Sequence, residues 1–321
     1  MDLFSLTLKE VCFITSRKHF FFKEKEMENI INLGYTNHLA GNATACKNWC
    51  QKGKRMKPPY FLTAVLLVRI YVTDRAQLSS REMLQWLMYL RYAGVEHIYV
   101  YDAYVLANET QRNVLAPLIK EEFVTYIDWH HRAFPFSSYY TQIAAYRDCN
   151  ARWGNDSTWR LASDIDEYPF SPSDMEPGFL KRFISNFNAR NKDVSEIYLK
   201  NYIFLGKPLS DKRQPFFIGR FLRRTLYPFN DRVKAIYQPM KVGSAGVHHN
   251  VMTLGRTIEA DSNELRLNHY WGARLQGWGD DTPEIIAMTI IDRTIQPIIK
   301  EIKRCNNCTE TEDFLYKRRW N

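Results

Sequence analysis

The sequence has few of the residues that mark disulfide-built, fibrous or disordered proteins. Its 321 residues include only 6 cysteines, 14 glycines and 13 prolines, and it shows no internal repeat or low-complexity segment. Cys305 and Cys308 form a Cys-x-x-Cys motif, but no second pair completes a zinc site. Aromatic residues are abundant, at 14% of the chain, which excludes a disordered composition. The chain is therefore long and apolar enough to bury a large core.

Long hydrophobic runs and long basic runs are also missing. Charged residues interrupt every apolar piece of residues 1–22, so we read no signal peptide or membrane anchor there. The formal net charge is +9, but the basic residues are scattered. No aromatic-basic signature of a nucleic-acid-binding module is present, which speaks against a nucleic-acid partner. The positive charge instead favours a ligand that carries phosphate.

Composition divides the chain into three regions. Residues 1–58 form an N-terminal extension of mixed polarity, which ends in a basic linker that runs into Pro58 and Pro59. Residues 59–304 carry the regular pattern of a folded domain, and residues 305–321 form a C-terminal tail.

Strand and helix patterns alternate through the first half of this domain. The predicted strands cover 62–72, 97–101, 123–127 and 158–162, and the predicted helices between them cover 80–92, 109–119 and 138–153. This order predicts an α/β fold with a doubly wound, mostly parallel central sheet.

The second half predicts a smaller, mixed sheet. Its pattern indicates a helix over 177–189, a strand over 196–205, and short strands at 233–237, around Val247 and at 265–269. A last helix is expected to begin at Asp281 and to be kinked or stopped by Pro297.

Three carboxylates follow the predicted strand at 158–162. If the strand continues, alternation places Asp164 and Asp166 on one face and Glu167 on the other. Two carboxylates at the carboxyl end of a buried strand form an oxygen site suited to Mg²⁺ or Mn²⁺. The alternative is an acidic turn with solvated carboxylates, because a lone Asp-x-Asp motif is not specific.

Several motifs also occur in a fixed order along the chain. They are Arg69, Gln85-Trp86-Leu87, Gly94 to Asp102, Gln142 to Cys149, Trp159 with Asp164-Ile-Asp-Glu167, then Lys234, His248 and Asn268-His269-Tyr270. In this order they resemble glycosyltransferase family 92 and its family-2-like relatives, over roughly residues 60–275. The resemblance implies a GT-A fold for residues 59–304, a nucleotide-sugar donor, usually a UDP-hexose and often UDP-galactose, a glycan acceptor, and a divalent metal ion, Mn²⁺ or Mg²⁺. It also implies the Golgi lumen, with membrane attachment only through an anchor that this chain does not show.

The metal-binding candidates are Asp164, Asp166 and His269. Asp166 would coordinate the metal that bridges the donor phosphates, and Asp164 would hold metal or ribose. His269 could supply a third ligand through its imidazole, which Mn²⁺ accepts. The alternative for His269 is a hydrogen-bonded histidine at a sheet edge, and His248 ranks second as the histidine ligand.

Four further residues are candidates for donor binding. Arg69 would contact uracil or phosphate, and Asp102 would bind ribose or uracil. The alternative for Arg69 is an arginine at a strand end whose hydrogen bonds are satisfied within the protein, and the alternative for Asp102 is an aspartate that only forms a turn. Gln142 is the best ligand candidate on the helix at 138–153. Arg274 would grip the diphosphate, because the stretch from His269 also resembles the His-x-x-Gly-x-x-Lys motif of glycogenin-like transferases.

An inverting transfer needs a carboxylate base for the acceptor hydroxyl. Asp280 and Asp281 are the candidates, since glycine and tryptophan beside paired carboxylates suit a sugar-stacking wall. Asp281 with Glu284 also fits a helix N-terminal cap, so the base stays open. The main alternative to a transferase is a non-catalytic protein that keeps the GT-A fold and binds glycans or serves as a scaffold.

Overall fold

A large mixed sheet organises the chain from residue 59 onwards. A computed structural model describes residues 59–68, 78–103, 110–132, 138–209, 216–273 and 282–306. Within them the main sheet has eleven strands, and a separate small sheet has two. All of these residues belong to the compact unit formed by residues 58–321. The predicted extents of the N-terminal extension and the C-terminal tail stay predictions.

The first half forms the predicted parallel sheet. Its strands, in the spatial order β4-β1-β2-β3, all pair in parallel. They are β1 (Tyr60–Val68), β2 (His97–Asp102), β3 (Val124–Asp128) and β4 (Ser157–Ala162), connected by α1 (Ser80–Ala93), α2 (Arg112–Lys120) and α3 (Ser138–Trp153). The predicted alternation of strands and helices is confirmed.

Local sequence explains the clean ends of α1. Ser79 caps its N-terminus by accepting a hydrogen bond from the Arg81 amide, and the Glu82 side chain bonds back to the Ser79 amide. Gly94 ends the helix with φ at 100°, a left-handed conformation that favours glycine. A Cβ on Gly94 would also come within 2.8 Å of the Lys181 Cβ.

Both faces of β1 are buried, which accounts for its continuous apolar run. Leu62, Ala64 and Leu66 belong to the core cluster that contains α1 residues such as Trp86. Val65 and Leu67 belong to the opposite cluster, which contains α3 residues such as Tyr146. The sheet is therefore covered by helices on both faces, as a doubly wound fold requires.

The second half completes the sheet and adds antiparallel strands. Its elements are β5 (Glu167–Phe170), α4 (Phe179–Arg190), β6 (Val194–Leu205), β7 (Arg223–Thr225), β8 (Phe229–Tyr237), β9 (Val242–Ser244), β10 (Val251–Met252), β11 (Arg256–Glu259), β12 (Arg266–His269), α5 (Pro283–Ala287), β13 (Thr289–Ile291) and α6 (Gln296–Asn306). The strand β8 lies antiparallel between β4 and β6, and β12 pairs in parallel with β6. The carboxyl ends of β4, β6 and β12 therefore lie on the same edge as those of β1, β2 and β3.

Two local predictions in this half are wrong. Val247 lies in an irregular segment between β9 and β10, and not in a strand. Pro297 lies in the first turn of α6, where its missing amide hydrogen breaks no helical hydrogen bond. The strand β13, and not Pro297, separates α5 from α6. No helix among the described residues combines the length and the apolar character needed to cross a membrane.

Candidate functional site

The acidic segment after β4 is a turn, and this corrects the prediction that the strand continues. The Glu167 amide donates to the Asp164 carbonyl at 3.0 Å, and β4 has already ended at Ala162. Ile165 is buried in the core cluster. The turn brings the carboxylates of Asp164 and Glu167 to the same cation, whereas strand alternation would have sent them to opposite faces.

That cation is Lys234 on β8, whose side chain has no solvent exposure. Its Nζ lies 3.0 Å from Asp164 Oδ2 and 3.3 Å from Glu167 Oε2. Burial would lower the pKa of Lys234, but the two carboxylates outweigh burial and raise the pKa above its ordinary value. Lys234 belongs to the ordered set of motifs in the sequence, but the sequence predicted no function for it. The only local signal was a single lysine among the apolar residues of the predicted strand 233–237.

Asp164 is held from its other side by α3. Gln142 Nε2 donates to Asp164 Oδ1 at 2.8 Å and to the Tyr146 hydroxyl at 2.7 Å. Gln142 and Tyr146 are four residues apart, so one helical turn presents both to the site. The structure thus brings together two residues that the sequence selected separately, Gln142 and Asp164.

Asp166 and His269 form the second half of the site. Because β12 pairs antiparallel with β5, His269 lies opposite Glu167, and the Tyr270 amide donates to the Asp166 carbonyl at 2.7 Å. His269 Nε2 lies 3.5 Å from Asp166 Oδ2, and Nδ1 lies 3.7 Å from Glu167 Oε1. Burial lowers the pKa of His269, but the hydrogen bond to Asp166 and the charge of Glu167 raise it above the usual value.

Asp166 and His269 fit a divalent cation as a pair. Metal–ligand bonds are about 2 Å long, so an oxygen and a nitrogen 3.5 Å apart can share one ion. The three carboxylates and Lys234 leave an excess of negative charge that a divalent ion would balance. Among the described residues, however, no group of three or more His, Cys, Asp or Glu side chains is arranged to hold a metal. The three-ligand set that includes Asp164 therefore stays a prediction.

Asp102 lies on the same sheet edge with its carboxylate turned towards α2. Its Oδ2 accepts from the Gln111 amide at 2.6 Å and from the Tyr126 hydroxyl at 3.1 Å. These bonds account for its burial, and its contact with a nucleotide stays a prediction. Arg69, Arg274, Asp280 and Asp281 lie outside the described residues. The N-cap of α5 is Thr282, which accepts from the Ile285 amide, and not Asp281.

His248 lies beside the buried lysine. Its Nδ1 is 3.1 Å from the Val233 carbonyl oxygen, on the residue that precedes Lys234. Burial and the charge of Lys234 lower the pKa of His248 to about 4. His249 instead packs edge-on against Tyr198.

The segment that follows His269 builds a wall next to the site. The Trp271 ring centroid lies 5.3 Å from that of His269, and the Arg232 guanidinium lies 5.1 Å from the Trp271 ring. Gly272 approaches the end of β6 so closely that a Cβ would lie 2.4 Å from the Gly206 carbonyl oxygen. This contact fixes the 3₁₀ turn of Trp271–Ala273 against β6.

Comparison with known proteins gives a match over most of the chain. The model of glycosyltransferase family 92 matches residues 76–305. No curated protein matches the chain significantly.

Three similar solved structures share little sequence with this chain. TarS 1-349 from S. aureus has a TM-score of 0.38 and 11% identity, over 79% of this chain and 74% of that one. The same TarS fragment in complex with UDP has a TM-score of 0.32 and 10% identity, over 81% and 75%. The 4-diphosphocytidyl-2C-methyl-D-erythritol synthase of Anaerococcus prevotii has a TM-score of 0.33 and 9% identity, over 71% and 96%.

Proposed function

Because the chain belongs to glycosyltransferase family 92, we propose that it transfers a hexose, galactose in the first instance, from a UDP-sugar to a glycan acceptor. Mn²⁺ or Mg²⁺ is the proposed cofactor, and the Golgi lumen is the proposed compartment. The observation that carries the proposal is the pair of Asp166 and His269 at the carboxyl edge of the sheet, with His269 Nε2 3.5 Å from Asp166 Oδ2. Ligand sites of open α/β sheets lie at this edge.

Asp166 and His269 would hold the metal ion between them. When bound, the ion would supply Lewis-acid stabilisation of the leaving diphosphate. Glu167 lies on the other side of the ring, since its Oε1 is 3.7 Å from His269 Nδ1. A metal ion held by Nε2 would take the place of the proton that this nitrogen donates to Asp166.

Asp164 is the carboxylate that we assign to the donor. Its side chain is 14% exposed, against 3% for Asp166 and 2% for Glu167. Lys234 and Gln142 fix its orientation by one contact to each oxygen. A carboxylate held in this way is positioned to accept hydrogen bonds from ribose hydroxyls. Lys234 itself keeps the turn folded by pairing with two of the three carboxylates.

Inversion at the transferred sugar is part of the proposal. It requires a carboxylate that takes the acceptor hydroxyl proton as the new glycosidic bond forms. Asp280 and Asp281 remain the proposed candidates for that base.

Release of UDP tests the proposal directly. Purified protein is incubated with UDP-galactose, UDP-glucose and UDP-N-acetylglucosamine, with Mn²⁺ or with a chelator, and liberated UDP is measured. We expect metal-dependent release, greatest with UDP-galactose, and lower by about a hundredfold or more in Asp166→Asn. A well-folded protein that neither binds nor hydrolyses any UDP-sugar would contradict the proposal and favour a non-catalytic glycan-binding role.

A further inference from the structure

A groove lies beyond the end of β6, outside the candidate metal site. Its volume is about 480 Å³, within the usual range for ligand pockets. Five aliphatic side chains, three cationic side chains and one glycine line it: Leu205, Leu209, Leu222, Ile286, Ile291, Lys207, Arg220, Arg223 and Gly206. No acidic residue is among these described lining residues.

The groove begins close to the candidate metal site. His269 pairs with Ile203 in the sheet, and the lining residues Leu205 and Gly206 follow at the end of that strand and just beyond it. At a rise of about 3.3 Å per residue, they lie roughly 7–10 Å along the strand from the His269 pairing. Trp271, which packs against His269, shares a small apolar cluster with Leu205 and Ile286 of the lining. An acceptor seated in the groove could therefore place one end near the donor.

None of the three cations of the groove forms an ion pair among the described residues, and the charge of Glu82 acts only on Arg220. Lys207, Arg220 and Arg223 form no ion pair there, whereas the adjacent Arg224 pairs with Asp292. The Arg220 Nε is buried without a hydrogen-bond partner in the same part of the chain. Arg223 and Arg224 point to opposite faces of β7, so Arg223 is left for a ligand. The groove thus presents positive charge that an anionic ligand would complement.

The apolar lining is also accessible. Leu209 is 49% exposed and Ile291 is 58% exposed, so both have aliphatic surface that a ligand could cover. Aliphatic walls beside unpaired cations suit a molecule that has an apolar part and a negative charge.

We propose that this groove binds the acceptor, and that the acceptor is an acidic glycoside with an apolar aglycone. The anionic group would contact Arg223, Lys207 and Arg220, and the aglycone would lie on Leu209, Leu222 and Ile291. This inference rests on the proposed transferase function, because only a transferase has an acceptor. Binding of the glycoside to the groove can nevertheless be measured without turnover.

Binding of three probes to the full chain tests the inference. Octyl β-D-glucuronide carries the charge and the tail, octyl β-D-glucoside carries only the tail, and glucuronic acid carries only the charge. Calorimetry is done below the critical micelle concentration. We expect octyl glucuronide to bind tightest, by about fivefold or more over each of the other probes, because each loses one of the two contacts.

Substitutions at two exposed positions of the groove and one control substitution separate the contribution of charge from that of apolar contact. Arg223→Gln should weaken octyl glucuronide by about fivefold and leave octyl glucoside unchanged. Ile291→Ser should weaken both octyl glycosides. Arg256→Gln, at an exposed arginine on β11 that pairs with Asp193, should change neither. Equal affinity for the charged and neutral octyl glycosides, or equal losses in Arg223→Gln and Arg256→Gln, would overturn the inference.

Two parallel measurements separate acceptor binding from membrane binding and from donor binding. Sedimentation with phosphatidylserine vesicles that depends on Arg223, without binding of soluble octyl glucuronide, would mean that the groove meets a membrane surface and would overturn the acceptor assignment. UDP binding with Mn²⁺ is measured on the same samples. If octyl glucuronide does not bind specifically while UDP still binds, only the acceptor assignment of the groove is rejected. If UDP does not bind while octyl glucuronide binds specifically, only the transferase function is rejected.

Discussion

The Lys234 ammonium lies 3.0 Å from Asp164 Oδ2, in a position where the lysine side chain has no contact with solvent. A buried charge is stable only when it is paired and hydrogen-bonded. Lys234 has two carboxylate partners, and Glu167 also accepts from the Asp164 amide at 2.9 Å. The acidic turn and the buried lysine therefore form one unit, and neither is stable at this depth without the other.

We expect Lys234→Met to destabilise the protein strongly. The substitution keeps most of the volume but leaves Asp164 and Glu167 without their cation, and breaking a buried ion pair from one side costs about 3–5 kcal/mol. The matched control is Lys200→Met, whose ion pair with Glu259 is partly exposed and should be worth about 1 kcal/mol or less. Urea denaturation of both variants gives the two values. Similar losses would mean that Lys234 does not stabilise the turn.

Asp166→Asn should remove metal-dependent UDP binding while the fold is kept. Asparagine preserves the shape of the side chain, and the Tyr270 amide bonds to the backbone carbonyl of residue 166, which the substitution does not alter. The lost charge should reduce turnover by about a hundredfold or more. Calorimetry with UDP and Mn²⁺ measures binding, and circular dichroism checks the fold. Retained Mn²⁺-dependent binding would exclude Asp166 as a ligand.

His269→Ala should weaken Mn²⁺ binding more than His248→Ala does. Only His269 places a ring nitrogen near Asp166, at 3.5 Å, whereas His248 bonds to the Val233 carbonyl. Titration of Mn²⁺ against the UDP complex of each variant measures the difference, with His249→Ala as a further control. The assignment fails if all three variants lose affinity equally.

The pH dependence of stability should contain a contribution from His248. Its folded-state pKa is lowered to about 4 from the ordinary value of 6.5, so between these values the unfolded chain binds a proton that the folded chain does not. Stability is therefore lost as the pH falls from about 6.5 towards 4, and this contribution does not change above that window.

His248→Asn tests this contribution. Asparagine can still donate to the Val233 carbonyl, but it cannot bind the extra proton in the unfolded chain. Urea denaturation across the window should show a shallower fall of the unfolding free energy than in the wild type. His131→Asn, at an exposed histidine, serves as the control. If the unfolding free energy of His248→Asn falls with decreasing pH as steeply as that of the wild type, His248 is excluded as the cause of the fall.

Local patterns in the sequence determined much of the fold. The helix from Ser138 to Trp153 has the predicted bounds, and α1 ends at Ala93, next to the predicted end at residue 92. These features were predictable because capping, glycine conformation and hydrophobic periodicity act between residues that are close in the chain. The same is true of the position of the acidic segment after β4. Its internal geometry was not predictable, because a turn and a continuing strand differ by little in local preference.

Only the tertiary structure decided which side chains meet at the site. Antiparallel insertion of β8 between β4 and β6 brings Lys234 to Asp164, from 70 residues away. Pairing of β12 with both β5 and β6 brings His269 to Asp166 and places the groove beyond Leu205. Strand order and register depend on how the whole core packs, and no local pattern carries that information. The sequence alone therefore determined the kinds of residues that the site uses, and the long-range pairing of strands determined how they are arranged.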